Sequence, residues 1–264
     1  MRTSSVHYQI GTPPVTGVGL GVSASELDAE LAGPTTALVF DDKGIRDIRG
    51  LLEGIPDTEF SRDNLDALLT NDSVPEDWRV GEALAERYLT ENRGCFFPWP
   101  DSRDERKCGS SLPGADLVGF QLNDDVERFA FGEVKTSTHD AYPPRVVYGC
   151  HGFKQQMEDL RDRREIRNDL VLYLGHRALN AAWRYRYQAA WKVYLNDTCD
   201  VRIFGLLVRD VTPHQDDLRV RVSSLATDCP GATIIELIAL YLPAGSIPTL
   251  ASKAVASHQK GGAS

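Results

Sequence analysis

The stretch LPGADLVGFQLNDDVERFAFGEVKTS, Leu112 to Ser137, holds two apolar runs separated by a polar turn. In a strand every second side chain faces the same side. Phe129, Phe131, Glu133 and Lys135 therefore share one face of the second run, and Ala130, Gly132, Val134 and Thr136 share the other. A solvated face would not begin with two phenylalanines, and a core face would not end in a glutamate and a lysine, because burying unpaired charge is costly. The pattern fits a strand whose apolar half enters a core and whose charged half emerges at a site. In the first run, Ala115 to Phe120, Asp116 is in phase with Val118 and Phe120. Asn123, Asp124 and Asp125 between the runs are turn formers, so the runs are expected to pair as antiparallel neighbours. Asp116, Glu133 and Lys135 would then meet at one edge of a hairpin, two carboxylates and a lysine of the kind that magnesium-dependent phosphodiester hydrolysis uses.

The tripeptide acid-x-Lys says little without that context, since it also occurs at Asp41 to Lys43 and Glu105 to Lys107. The first reads as a strand end and turn; the second lies in a polar loop without a flanking apolar run. Upstream of the hairpin, Val80, Ala83, Leu84, Ala85 and Leu89 recur at helical spacing and predict an amphipathic helix. Glu82 and Glu86 on it are either solvated or turned to the site. Downstream, GFKQQMEDL predicts a helix carrying Gln155 and Gln156.

These residues together resemble the PD-(D/E)xK phosphodiesterases. The pattern reads Pro113-Gly114-Ala115-Asp116, then Glu133-Val134-Lys135, with Glu82 on the preceding helix and Gln155 or Gln156 on the following one. That order, covering Val80 to Arg167, is the family's core order. The resemblance implies an α/β fold with a restriction-endonuclease-like core: a central mixed sheet flanked by helices, over residues 76–247. It implies Mg2+ or Mn2+ held by Asp116, Glu133, the Val134 carbonyl and Glu82, with Lys135 at the attacking water and Gln156 as a further catalytic candidate. An acidic extension (1–75) and a terminal strand block ending in IELIALYLP also resemble the HamA effector nucleases of Hachiman anti-phage systems. This implies a DNA nuclease paired with a helicase. The competing expectations are a non-catalytic subunit binding DNA or protein through the same fold, and a restriction or repair nuclease.

The charge balance bears on the DNA expectation. The 264-residue chain carries a net charge of -9, unfavourable for a phosphate-binding surface. Residues 1–142 hold 13 Lys+Arg against 26 Asp+Glu, whereas 143–192 hold 10 against 5. The basic excess begins directly after the candidate site, so Lys154, Arg161, Arg164 and Arg167 are candidate DNA contacts; the alternating signs of RDRREIRND equally fit a solvated helix. Trp183, Tyr187, Trp191 and Tyr194 at helical spacing predict a helix buried against the core, with base stacking as the other option.

The remaining features bound the class. Five scattered cysteines without a C-x-x-C pair signal neither a disulfide framework nor a zinc finger, and a site joining Cys95, Cys108, Cys150 and His151 is disfavoured. No secretory signal or membrane-length apolar stretch is seen, so a cytoplasmic protein is expected. Within 1–75, GVGLG lacks the context of a phosphate loop, a short strand is expected near Ala37 to Phe40, and a helix near Gly44 to Gly54. VRIFGLLVRDV and DLRVRVSSL read as strands, ATIIELIALYL as a strand or helix, and 248–264 as a mobile tail.

Overall fold

Strand formation follows the two-residue period closely in the deciding stretch. The computed structural model describes residues 1, 3–69, 74–100, 103–104, 114–149 and 152–262. Among them one mixed sheet contains β1 (Ser5–Thr12), β2 (Val15–Gly21), β3 (Cys95–Phe96), β4 (Leu117–Asn123), β5 (Val126–Ser137), β6 (Arg202–Arg209) and β7 (Ile234–Tyr241). Their order is β1-β2-β7-β6-β5-β4-β3. Neighbours from β2 through β7 and β6 to β5 are parallel, and β1, β4 and β3 join antiparallel at the two edges. The helices are α1 (Ala24–Leu31), α2 (Pro34–Val39), α3 (Asp42–Leu51), α4 (Glu59–Leu69), α5 (Asp77–Arg93), α6 (Phe153–Asp162), α7 (Arg164–Ala178), α8 (Arg184–Asn196), α9 (Arg219–Ala226) and α10 (Leu250–Gly262).

Both faces of the central strands are covered, which is why β6 is buried along its whole length and reads as a continuous apolar run. On one face Ala130, Val134, Leu206 and Val208 pack with Leu27, Leu84 and Leu250 of α1, α5 and α10. On the other, Phe129, Phe131, Ile203 and Leu207 pack with Phe153, Leu174, Ala190 and Val222 of α6, α7, α8 and α9. The expected α/β class with a helix-flanked mixed sheet is observed. None of the described helices is long and apolar enough to cross a membrane.

The hairpin forms as its sequence predicts. Asn123 pairs with Val126, leaving Asp124 and Asp125 as a two-residue turn with φ of 49° and 57°. Positive φ at both positions is the type I′ geometry that suits a twisted hairpin. The aromatic stripe of α8 packs on the core: Tyr194 is buried and Tyr187 and Trp191 partly so, all three against Phe129, and Trp183 just before the helix lies half-buried against Phe120.

Four expectations are corrected. Residues 34–39 form α2 rather than a strand, with Pro34 in the first turn, where its missing N–H costs nothing. The alternation in LRVRVSSL gives way to the helix α9, because Leu218, Val222 and Leu225 are buried on one helical side. The expected tail forms α10: Ala251 N–H donates to Asp77 Oδ1 (2.9 Å), Leu250 and Ala254 are buried, and His258 stacks on Phe40. Finally, residues 1–75 do not stand apart from the sheet, since β2 pairs with β7 from Val15↔Ile235 to Gly21↔Tyr241. Its glycines admit close neighbours: a Cβ on Gly19 would lie 2.3 Å from the Tyr8 ring.

Candidate active site

Because β4 begins at Leu117, opposite Gly132, the preceding Asp116 falls beside Glu133 at the point where β5 runs on without β4. Asp116 Oδ2 accepts a hydrogen bond from Val134 N–H (2.7 Å). In an extended strand the N–H and C=O of one residue point to the same flank. The Val134 carbonyl therefore faces the flank that Asp116 occupies. Glu133 is fully buried; its Oε1 is in contact with Lys135 Nζ, and its Oε2 is buried with no hydrogen-bond partner among the described residues. Lys135 keeps 23% of its side chain exposed.

Two acids thus share one lysine. Burial raises the Asp116 carboxyl above the ordinary range, against the lowering effects of Lys135 and the Val134 N–H. Burial raises Glu133 well above its ordinary value, and Asp116 adds to the rise through its charge and through a hydrogen bond the two carboxyls can share when one is protonated. Burial alone would lower the Lys135 ammonium, but Glu133 and Asp116 outweigh it and its pKa is raised.

Helix α5 brings the third carboxylate. Its Val80, Ala83, Leu84, Tyr88 and Leu89 are buried, and it stops at Gly94 in the left-handed conformation (φ 64°). A Cβ on Gly81 would lie 2.0 Å from Thr136 Oγ1, so glycine lets the helix sit directly on β5. Arg79, Glu82 and Glu86, at i, i+3 and i+7, then line a small cleft of about 40 Å³ with Asp116. That is room for about two or three water-sized occupants. The charge of Glu82 acts on Lys135 and that of Arg79 on Asp116. Leu38 and Val39 of α2 close the cleft together with Phe97 and Trp99. None of these wall residues, nor Arg79, was expected from sequence. Arg79 was findable as the residue one helical turn before Glu82.

The α6 helix separates its two glutamines. Phe153, Met157 and Leu160 are buried, and Gln156 lies on their side, with its Oε1 buried and lacking a hydrogen-bond partner among the described residues. Gln155 is exposed and donates to Asp159 (3.0 Å). The four basic candidates also divide. Lys154 and Arg164 are exposed. Arg167 is buried and donates to the carbonyls of Leu160 and Arg161, and Arg161 holds the carbonyls of Ser224, Leu225 and Thr227 at the end of α9. Arg161 and Arg167 are thus withdrawn as DNA contacts: their guanidiniums are used in tying α6, α7 and α9 together.

No group of three or more His, Cys, Asp or Glu side chains is close enough to hold a metal ion among the described residues. Pro113, the Glu105 to Lys107 tripeptide, Cys108, Cys150 and His151 lie outside the described residues. Cys95, Cys199 and Cys229 are free thiols. Asp41 of the other acid-x-Lys match caps α3, accepting from Gly44 N–H (3.1 Å), and pairs with Arg103. No protein-family model matches the chain, and no curated protein matches it either.

Proposed function

We propose that this protein is a divalent-metal-dependent phosphodiesterase acting on DNA, built on a restriction-endonuclease-like core. The observation that carries the reading is the pair of acids Asp116 and Glu133 beside the single Lys135, with Oε2 of the fully buried Glu133 unpartnered among the described residues. A buried carboxylate oxygen without a donor is costly unless a cation or water reaches it. Hard oxygen donors suit Mg2+ or Mn2+. Magnesium characteristically takes one or two carboxylates and keeps several waters, so Asp116, Glu133 and the Val134 carbonyl are an adequate set, with Glu82 joining directly or through water.

The ion, when bound, lowers the pKa of a coordinated water and neutralises charge at the scissile phosphate. Lys135 remains an ammonium at neutral pH because Glu133 and Asp116 hold its proton. It can donate to the attacking water or to the charge that develops on the phosphate. Glu133 fixes that ammonium, and Arg79 adds positive charge beside Asp116. Gln156, turned inward from α6, offers an amide on the same side of the sheet as Glu133.

The chain carries a net charge of -9, and Arg161 and Arg167 are committed internally, so its overall charge opposes a duplex. This supports a partner that delivers DNA. We assign that role to a helicase, in a cytoplasmic anti-phage system. Purified protein incubated with plasmid and linear DNA, alone and with a helicase encoded beside it, is expected to nick or degrade DNA with Mg2+ or Mn2+ and not with EDTA. Glu133→Ala and Lys135→Ala should each lower cleavage by roughly 10²–10³-fold or more. Full activity in either variant, or cleavage indifferent to EDTA, overturns the reading; metal-independent binding without cleavage supports a non-catalytic subunit instead.

A further inference from the structure

We infer that the cleft adjoining the candidate active site binds unpaired nucleobases, so that the strand presented for cleavage is single-stranded; this rests on the phosphodiesterase reading for its placement. The cleft, about 570 Å³, lies between the segment after β3, α3 and the start of α8. Phe97 and Trp99 line both it and the cleft at Asp116, so the two clefts share a wall. Its size is within the range of ligand-binding cavities.

The walls are unusual in pairing rings with guanidiniums. Arg103 lies over Trp99 (5.0 Å), Arg177 over Trp99 (5.5 Å) and Tyr173 (3.6 Å), and Arg186 over Phe96 (4.7 Å). Each guanidinium is fixed by a carboxylate: Arg103 by Asp41, Arg177 by Asp104 and Arg186 by Glu127. Among the described residues, Arg103 and Arg186 each use Nε and Nη2 on that partner and no hydrogen bond from Nη1 is found. A guanidinium has five N–H donors, so further donors remain for a phosphate. Tyr185 stands 70% exposed at the rim and Trp183 is half-buried beside it, leaving ring surface for a base.

Two consequences identify the ligand class. Base faces are hidden inside a duplex and offered only by unpaired nucleotides, so the rings select single strands. Lys43 is also paired, with Asp47, so every cation of the cleft is matched by an acid and its charge sums to zero. Binding should therefore be carried by stacking, with a shallower salt dependence than counterion release at a basic surface produces.

The test is fluorescence anisotropy with a labelled oligothymidylate in EDTA, using Glu133→Gln protein so that no cleavage enters. The single strand should bind more tightly than its duplex with oligoadenylate or than thymidine monophosphate. Tyr185→Ala, at an exposed position, should weaken it roughly 5- to 150-fold and Tyr185→Trp should restore it. Unchanged affinity in Tyr185→Ala, equal affinity for the duplex, or competition by thymidine monophosphate at the oligonucleotide's own affinity overturns the inference. Failure here leaves the EDTA-sensitive cleavage reading standing, and absence of cleavage with intact single-strand binding removes that reading alone.

Discussion

Two buried charge clusters lie on adjacent parallel strands of the sheet and are built to different balances. At the end of β6, Arg209 and Asp217 are both fully buried and 2.8 Å apart. Arg209 also donates to the carbonyls of His139 and Ala141, and Asp217 accepts from the Tyr241 hydroxyl (2.7 Å). One cation meets one acid, and backbone carbonyls and a tyrosine take up most of what remains. At β5, Glu133 and the neighbouring Asp116 share Lys135, with the charge of Arg79 beside Asp116, and Asp116 lines a cleft. A matched buried pair holds elements together; an excess of buried acid is tolerated by taking up a proton or by a positive partner that arrives from outside.

Removing one member of the matched pair should give the largest effect. Arg209→Ala leaves Asp217 buried without its cation and is expected to cost about 3–5 kcal/mol. At about 2–4 °C per kcal/mol for a chain approaching this size, the melting temperature should fall by roughly 6–20 °C. A loss of under about 1 kcal/mol in denaturant titration would remove the contrast between the clusters.

Gly81→Ala perturbs only the acidic corner. The added methyl must shift α5 or turn the Thr136 side chain aside, at a cost of about 1–3 kcal/mol. Since Glu82 and Arg79 ride on the same helix, cleavage should fall by more than stability does. Unaltered cleavage would show that α5 does not position the site.

Glu133→Gln should act with the opposite sign to Arg209→Ala. A carboxyl whose folded pKa is raised contributes stability fully present below its unfolded value, about 4, and lost as pH rises through the folded value. Without metal, the wild type should thus become less stable than Glu133→Gln as pH rises toward neutrality. Urea titration across pH with EDTA checks this. Equal slopes for the two proteins would mean that the acid excess is not felt.

The parts of this structure that were legible in the sequence are those fixed by near neighbours. The β4–β5 hairpin follows from alternation and two aspartates that accept positive φ, and α5 follows from its apolar spacing. The misread parts depend on distant partners. Residues 250–262 carry few large apolar side chains, and their helix is tied by Asp77, 174 positions away. Gly17 and Gly19 give β2 no alternating pattern to read, and only the folded chain shows Ile10 and Tyr8 packed where their side chains would stand. The candidate site divides the same way. Asp116, Glu133 and Lys135 meet because one hairpin joins them, whereas Arg79 and the walls from α2 and Trp99 needed the folded chain. Arg161 and Arg167 scored as basic residues although the carbonyls that occupy them lie on other elements.

The most direct measurement of the central claim is thermal denaturation with increasing Mn2+, on wild type, Asp116→Asn and Glu133→Gln in parallel. A cation that completes the acidic corner should raise the wild-type melting temperature with saturation, as any ligand bound only by the folded state does. Both variants should lose most of that rise while Arg209 and Asp217 stay intact in all three. A rise of the same size in Asp116→Asn and Glu133→Gln, or none in the wild type at concentrations that support cleavage, would contradict the claim that these two carboxylates hold the metal.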